Sequence, residues 1–267
     1  MNYSQYVSMF GEEQEITGSS LEGFENNEFK MYLQFIVDNK TKNIVLAEAL
    51  SRWDRGEGGI VGPAEYIANM ERFGIISRLD FYMFDTVCCQ LEKWADTDMK
   101  DIAISCNFTR LTLSDCEFKD KIQKITNSYR FDHTKLAIEI TEDISEKDSG
   151  MVKKNVEYCK ELGFHVYLDD LGCGYASLVN LCDYPVDVVK IDRDILLKTD
   201  SSRGKELFSG IIALAHNLKM EVVCEGVETE EQNKLVGASD CDYVQGYYYS
   251  KPLGKADWEP FLEKYQP

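Results

Sequence analysis

Short apolar runs alternate with longer amphipathic stretches along most of the chain, from residue 28 onward. The short runs are rich in Val, Ile, Leu and Tyr, and several are apolar at nearly every position, which is typical of strands buried on both faces. We predict eight strands, at 31–37, 44–50, 102–108, 136–141, 165–169, 186–191, 221–224 and 243–248. The amphipathic stretches predict helices at 64–73, 77–94, 116–128, 147–162, 204–218 and 230–236.

The alternation of strands and helices favours a parallel sheet, and eight strands in about 240 residues fit one (β/α)₈ barrel. Only residues 38–43 separate the first two strands. A parallel crossover needs a longer connection, so we expect these two strands to pair antiparallel. The sequence therefore predicts an α/β fold, an irregular (β/α)₈ TIM-type barrel at residues 28–267. Residues 1–27 are expected to form a tail or linker with one short helix near 21–26.

The composition narrows the class of protein. The chain has 267 residues, 44% of them hydrophobic, and a formal net charge of −18. Such an acidic chain binds nucleic acid polymers and anionic membranes poorly, and an anionic substrate would need the help of a divalent cation. No apolar run approaches the ~20 residues of a membrane span, and the first residues do not resemble a signal peptide. Nine scattered cysteines without a C-x-x-C pair indicate reduced thiols and a cytoplasmic protein.

Seven predicted strands have a polar side chain near their carboxyl ends, and in a (β/α)₈ barrel those ends converge on one mouth. These residues are Glu48, Asn107, Glu139, the pair Asp169 and Asp170, Lys190, Glu225 and Gln245. Several carboxylates in one pocket repel each other unless they are protonated or bound to cations. Oxygen ligands without Cys or His favour Mg²⁺ or Mn²⁺ over zinc. Asp169 and Asp170 could serve two ions, and Lys190 could orient a water or stabilise developing charge.

Each of these residues also has a purely structural interpretation. A single acidic residue at a strand end, such as Glu48, is more often a helix cap or a surface charge. Lys190 could pair with Asp192, and the tyrosines at 247–249 could form packing contacts or a wall on which a base stacks. The joint placement of the set favours a functional site. The strand ends alone leave open a barrel lyase or isomerase with Lys190 as base and Mg²⁺ as electrophile.

Glu48-Ala49-Leu50, followed by Arg52-Trp53, resembles the signature of EAL-domain cyclic di-GMP phosphodiesterases. The resemblance extends from about residue 28 to 253. Its further blocks follow in the order of the family: Cys106-Asn107-Phe108-Thr109, Glu139-Ile140-Thr141-Glu142, Asp169-Asp170, Lys190-Ile191-Asp192, Glu225-Gly226-Val227-Glu228 and Gln245-Gly246. Phe35 stands where the family usually has Pro, and Leu171 and Cys173 stand where it usually has Phe and Thr.

The resemblance implies hydrolysis of one phosphodiester bond of cyclic di-GMP to linear pGpG by a metal-activated water. The implied metal ligands are Glu48, Asn107, Glu139, Asp169, Asp170 and Glu225, with Asp169 shared between two ions. Lys190 is implied to position the water, with Glu48 and Glu225 as further catalytic residues, Glu225 being either ligand or base. The implied substrate contacts are Gln34, Leu50, Arg52, Gln245 and Pro252. Glu142 is implied to anchor the loop after Asp170.

By the same resemblance, two Mg²⁺ or Mn²⁺ ions are the expected cofactors, and Ca²⁺ is expected to inhibit because it accommodates looser geometry. A homodimer and a sensory or GGDEF domain upstream are the expected assembly. The alternative is a catalytically weak or inactive receptor that binds cyclic di-GMP and signals through a protein partner. Leu171 and Cys173, in the altered loop, motivate this alternative.

Overall fold

The computed structural model describes residues 22–141, 149–172 and 180–265. Nine strands in these residues form one sheet that closes on itself, because its first strand also pairs with its second. The strands are β1 (Phe29–Asp38), β2 (Ile44–Asp54), β3 (Ile60–Val61), β4 (Ala103–Phe108), β5 (Leu136–Thr141), β6 (His165–Leu171), β7 (Val188–Ile191), β8 (Glu221–Cys224) and β9 (Tyr243–Val244). Eight of them form the barrel, as predicted, and β3 pairs with β2 as an additional short strand.

Strand β1 runs opposite to the other barrel strands. It pairs antiparallel with both β2 and β9, whereas β2, β4, β5, β6, β7, β8 and β9 follow each other in parallel. The turn between β1 and β2 is tight, and the Oδ1 atom of Asp38 accepts hydrogen bonds from the backbone N–H groups of Lys40 and Thr41. The prediction of an antiparallel first pair is confirmed.

Helices cover the outside of the barrel in the described residues. They are α1 (Ile67–Arg72), α2 (Ile76–Trp94), α3 (Arg110–Leu113), α4 (Phe118–Thr126), α5 (Ser149–Glu161), α6 (Asn180–Asp183), α7 (Arg193–Leu197), α8 (Ser202–Asn217), α9 (Glu230–Gly237) and α10 (Trp258–Leu262). None of the helices described here combines the length and apolar character needed to cross a membrane.

The elements differ from the predicted ones mainly at turns. The predicted strand 243–248 ends at Val244, because the chain then turns at Gly246, whose carbonyl accepts hydrogen bonds from the N–H groups of Tyr249 and Ser250. The predicted helix 64–73 is divided into a 3₁₀ turn, Pro63–Glu65, and α1. The short helices α3, α6, α7 and α10 were not predicted, since four or five residues carry too little periodicity to detect.

The hydrophobic core has two layers. The larger lies between the barrel and the helices, where α2 buries one face at helical spacing, including Ile76, Leu79, Met83 and Val87. The smaller layer is a separate cluster contributed by the strands, comprising Ile36, Ala137, Tyr167, Val188 and Val223. Because this inner cluster fills the barrel, the interior space above it at the carboxyl ends is left for polar side chains. The eight cysteines in the described ranges are all free thiols.

Candidate active site

Strand alternation places a polar layer directly above the inner apolar layer. Side chains two positions apart on a strand lie on the same face. Glu139, Asp169, Lys190 and Glu225 each follow an inner-cluster residue by two positions, and because β1 runs in the opposite direction, Gln34 precedes Ile36 by two. The complete polar layer comprises Gln34, Glu48, Asn107, Glu139, Asp169, Lys190, Glu225 and Gln245. The structure therefore brings together the strand-end residues singled out in the sequence.

Lys190 lies at the centre of this layer. Its side chain is 1% exposed, and its Nζ atom lies 2.8 Å from Glu139 Oε2, 3.0 Å from Asp169 Oδ1, 2.8 Å from Glu225 Oε1 and 3.3 Å from Glu48 Oε2. One ammonium group thus contacts four carboxylates contributed by four different strands or strand ends. The alternative in which Lys190 pairs with Asp192 is wrong, since Asp192 instead caps α7 by accepting the N–H of Asp194.

The charges of this layer are strongly coupled. Burial opposes the charge of Lys190, but the surrounding carboxylates raise its pKa well above the ordinary value. Burial and the charge of Glu48 raise the pKa of Glu139. Burial likewise raises the pKa of Glu225 to about 8, against the opposing charge of Lys190. Burial also opposes ionisation of Glu48, yet Lys190 and hydrogen bonds from Gln245 and Asn107 lower its pKa. One ammonium therefore cannot keep all of these buried carboxylates ionised.

Amide side chains fix the orientation of the Glu48 carboxylate. Asn107 Nδ2 donates to Glu48 Oε1 at 3.0 Å, and Gln245 Nε2 donates to Glu48 Oε2 at 2.7 Å. Gln245 Nε2 also donates to Gln34 Oε1, and Gln34 Nε2 donates to the carbonyl oxygen of Ser250. Since Asn107 and Gln245 both donate through nitrogen, their side-chain carbonyl oxygens are the atoms that could accept a hydrogen bond or bind a cation.

The donor set fits a divalent metal ion. Carboxylate oxygens of Glu48, Glu139 and Asp169 lie within 4.8 Å of one another, and so do those of Asp169, Asp170 and Glu225, so that Asp169 belongs to both groups. Among the residues described, Oε1 of Glu139 and Oε1 of Gln245 are buried without a hydrogen-bond partner. Buried polar atoms normally have a partner, so these oxygens are suited to a cation.

Asp170 has an unusual backbone conformation. Its φ is +58°, in the left-handed region that residues other than Gly enter at a cost, although Asp tolerates it better than most. Gly172, two residues after Asp170, also has a positive φ, of 108°. With this backbone, the adjacent carboxylates of Asp169 and Asp170 both lie in the group of oxygens that includes Glu225.

Two cavities adjoin the polar layer. A cavity of about 790 Å³ is lined by Glu48, Leu50, Asn107, Asp169 and Asp170, among others. A second, of about 300 Å³, is lined by Gln34, Glu225, Gln245 and Tyr247, and shares Glu48 and Leu50 with the first. The carboxylates therefore separate two spaces, and an elongated ligand could extend into both.

Of the residues implied as substrate contacts, Gln34, Leu50 and Gln245 line these cavities, whereas Arg52 and Pro252 line neither. Leu50 lines both cavities, whereas the guanidinium of Arg52 lies 5.6 Å from the centre of the Tyr32 ring and donates to the carbonyl oxygen of Ser51. Pro252 lies in the segment that runs beside β1, where the N–H of Leu253 donates to the carbonyl oxygen of Leu33.

The residues that depart from the family pattern lie in different parts of the barrel, Phe35 on β1 and Leu171 on β6. The N–H of Phe35 donates to Ser250 Oγ at 3.3 Å, a contact that Pro cannot make. Leu171 is buried and pairs with Ile191 of β7. Glu142 and Cys173 lie outside the described residues, so the predicted loop anchor has no structural counterpart to compare.

Asp80 was not identified from the sequence, although it is a buried side chain of α2 that also lines the larger cavity. It lies on the apolar face of that helix, among Ile76, Met83 and Val87. A carboxylate on the buried face of an amphipathic helix is the signal that could have identified it, because Asp is almost never buried without a specific role.

The fold and the site define the class: a (β/α)₈ barrel whose mouth holds an oxygen-rich acidic cluster. The EAL domain family model matches residues 18–252, so the chain belongs to the EAL domain family. The signaling protein YkoW of Bacillus subtilis is 29% identical over 242 residues, which are 90% of this chain and 30% of YkoW. The cyclic di-GMP phosphodiesterase NbdA of Pseudomonas aeruginosa is 30% identical over 242 residues, 90% of this chain and 31% of NbdA.

A solved structure of the EAL enzyme Bd1971, in its cAMP- and cyclic-di-GMP-bound form, superimposes with a TM-score of 0.87 at 25% identity. The match covers 94% of this chain and 69% of that one. The chain spans less than a third of the length of the two curated relatives. The similarity therefore covers the barrel and its site, and the greater part of each of the two relatives lies outside the matched region.

Proposed function

We propose that the chain is a metal-dependent phosphodiesterase that hydrolyses one phosphodiester bond of cyclic di-GMP and releases linear pGpG. The observation that carries this proposal is the joint position of five carboxylates, two amides and Lys190 at the mouth of the barrel. The name of NbdA, a cyclic di-GMP phosphodiesterase, supports the same substrate.

The charge of the site supports two divalent ions. Glu48, Glu139, Asp169, Asp170 and Glu225 carry five negative charges when ionised, and Lys190 carries one positive charge. Two divalent cations would neutralise the remaining four. Mg²⁺ and Mn²⁺ suit an all-oxygen donor set of this kind. When bound, such ions lower the pKa of a water and offset charge on the phosphate.

The residues of the chain have distinct roles in this proposal. Glu48, Asn107, Glu139, Asp169, Asp170 and Glu225 would hold the ions. The Lys190 ammonium would orient the attacking water. Glu225 would either accept a proton from that water or serve only as a metal ligand. The water oxygen bonds to phosphorus, the bond to the leaving ribose oxygen breaks, and that oxygen takes up a proton. Gln34, Leu50, Arg52, Gln245 and Pro252 would contact the nucleotide.

The test is product analysis by chromatography after incubation of the purified chain with cyclic di-GMP and Mn²⁺ or Mg²⁺. We expect pGpG with either metal and little product with Ca²⁺. Lys190→Ala and Glu48→Ala should each reduce turnover by at least about 10²-fold, since each removes a charged group at the reacting centre. Lys234→Ala is the matched control, because this exposed lysine pairs with Glu230 across one helical turn.

Turnover by Lys190→Ala at the rate of the unchanged chain would contradict the role given to this lysine. Binding of cyclic di-GMP without product, over long incubation with metal, would instead favour the receptor. Leu171 in place of the usual Phe is the observation that favours this second function. The complete set of metal-ligating side chains favours the enzyme.

A homodimer, an upstream sensory or GGDEF domain and a cytoplasmic location stay predictions from the sequence. The first would be checked by sedimentation of the purified chain with and without cyclic di-GMP. A dimer that forms only with nucleotide would connect assembly to the site.

A further inference from the structure

The proposed reaction does not use Asp80, although this carboxylate is only 6% exposed and lies on a helix that lines the larger cavity. Among the described residues, the groups that act most strongly on it are two hydroxyl groups, one backbone N–H and the repulsive charge of Glu71, and none of these is cationic. Burial of a carboxylate without a cation is costly. Hydrogen bonds offset part of this cost.

Three hydrogen bonds converge on one oxygen atom of Asp80. The Oδ2 atom accepts the backbone N–H of Thr109 at 2.9 Å, the Thr109 hydroxyl at 2.7 Å and the Thr112 hydroxyl at 2.6 Å. Thr112 Oγ1 also lies within hydrogen-bond distance of Ser77 Oγ, at 2.9 Å. We name Ser77, Asp80, Thr109 and Thr112 the Asp80 cluster. It connects α2 with the turn that leads from β4 into α3.

This turn follows Asn107 within two residues. Thr109 is the N-terminal capping residue of α3, with extended backbone and no capping hydrogen bond from its own side chain. Its N–H and hydroxyl are both bound by Asp80, so the exit of β4 is fixed relative to α2 rather than by the short helix that follows. Asn107 in turn donates to Glu48 Oε1. The position of the Asn107 amide in the polar layer therefore depends on where Asp80 holds Thr109.

We propose that Asp80 is a positioning residue of the metal site, acting as a hydrogen-bond acceptor that holds Thr109 and thereby the Asn107 amide. This inference rests on the proposed function, because it assigns Asn107 to the metal. Among the described residues, the hydrogen bonds of Asp80 go to Thr109 and Thr112 and to none of the residues assigned to the metal. Its effect is transmitted through two residues of backbone, from Thr109 to Asn107.

Because all three hydrogen bonds end on one oxygen atom, two substitutions can separate the hydrogen-bond acceptor from the charge. Asp80→Asn retains one carbonyl oxygen that can accept all three hydrogen bonds, whereas Asp80→Leu has a similar volume and accepts none. We expect Asp80→Leu to weaken Mn²⁺ binding, measured by titration calorimetry on the full chain, by about 10- to 100-fold, as for other residues that orient metal ligands. Asp80→Asn should stay within about threefold of the unchanged chain. At saturating Mn²⁺, the kcat for cyclic di-GMP should likewise fall more in Asp80→Leu than in Asp80→Asn.

Gln90→Leu is the matched control for stability. Gln90 lies on the same helix and is also 6% exposed, but it is ten residues, about 15 Å, further along the axis. We expect Gln90→Leu to lower the melting temperature without changing Mn²⁺ affinity. If Asp80→Leu does not fold, the double variant Thr109→Val with Thr112→Val removes both hydroxyl donors while the carboxylate stays, and should also weaken Mn²⁺ binding.

Two results would overturn the proposal. One is wild-type Mn²⁺ affinity in folded Asp80→Leu, or in the threonine double variant, which would give the cluster a purely structural role. The other is an Asp80→Asn variant as weak as Asp80→Leu, which would show that the charge and not the acceptor is needed. Failure of the proposed function is distinguishable, because then the unchanged chain itself would neither bind Mn²⁺ nor release pGpG.

Discussion

Asp170 combines a charged side chain in the acidic cluster with a left-handed backbone, at φ +58°. The two properties can be separated by substitution. Asn tolerates this conformation as Asp does, whereas a β-branched residue does not. We expect Asp170→Asn to keep its melting temperature while losing metal affinity. Asp170→Val should lose both, with a cost of about 1–3 kcal/mol in the free energy of unfolding.

Thermal denaturation of the metal-free variants would measure the backbone effect, and Mn²⁺ titration would measure the effect on the site. Equal melting temperatures for the Asn and Val variants would show that this turn carries no conformational strain. Unchanged Mn²⁺ affinity in Asp170→Asn would remove Asp170 from the proposed ligands.

Asp80 gives a pH dependence of stability. Burial raises its pKa from 3.8 to about 6, with the charge of Glu71 adding to the effect. The folded state therefore holds this proton more tightly than the unfolded state, and the free energy of unfolding decreases as the pH rises from about 4 to about 6. Ionised Asp80 then costs on the order of 3 kcal/mol at most. Asp80→Asn lacks this cost.

We expect the stability of Asp80→Asn, relative to the unchanged chain, to increase between pH 4 and pH 7. Urea unfolding of both proteins in a chelator at several pH values measures the difference, in which the other titrating groups cancel. Asp98→Asn, at an exposed position, is the control and should show no such trend. A stability difference that does not vary with pH would mean that Asp80 is already ionised in the folded state at pH 4.

At the level of elements, the turn after β9 packs tightly on the turn after β8. A Cβ atom on Gly246 would lie 2.1 Å from the carbonyl oxygen of Val227, and the N–H of Val227 donates to the carbonyl oxygen of Gln245. This close approach holds the loops of Glu225 and Gln245 together. Gly246→Ala should therefore cost more than about 2 kcal/mol and displace Gln245, with loss of hydrolysis.

Gly210 provides the opposite case. It lies in α8, and an added Cβ would meet nothing within 4 Å. Gly210→Ala should raise the free energy of unfolding by about 0.5–1 kcal/mol, as expected for a helix interior, and leave hydrolysis unchanged. A Gly246→Ala variant as stable and active as Gly210→Ala would show that the two loops can move apart without consequence.

The elements that could be predicted from the sequence are those with clear periodicity. The apolar runs of β5, β6 and β8 gave correct strands, and the polar side chains near their carboxyl ends, Glu139, Asp169 and Glu225, gave the polar layer. Asp80 and the turn at Gly246 could not be predicted in the same way. Their roles arise from contacts between elements distant in sequence, which neither periodicity nor local turn preference encodes.

At the level of the whole molecule, metal binding should be visible as stability. A cation that binds only the folded state at about 100 times its Kd adds about 2.7 kcal/mol, which corresponds to several degrees in melting temperature. We expect Mn²⁺ to raise the melting temperature of the unchanged chain in this way. Glu139→Gln should abolish most of the increase, because Glu139 Oε1 is one of the buried oxygens suited to the ion.

Sodium chloride at matched ionic strength is the necessary control, since a chain of net charge −18 is also stabilised by simple screening. An increase of the same size with sodium chloride, or with Glu139→Gln, would show that Mn²⁺ acts through general charge and not at the site.

The reversed first strand has a consequence for how the barrel is connected to preceding chain. Phe29 pairs with Trp53, beyond Glu48 on β2, so the polypeptide enters β1 at the rim of the mouth. In a barrel with eight parallel strands it would enter at the opposite, closed end. Any force or displacement applied through the residues before 29 is therefore delivered beside the entrance to the carboxylates.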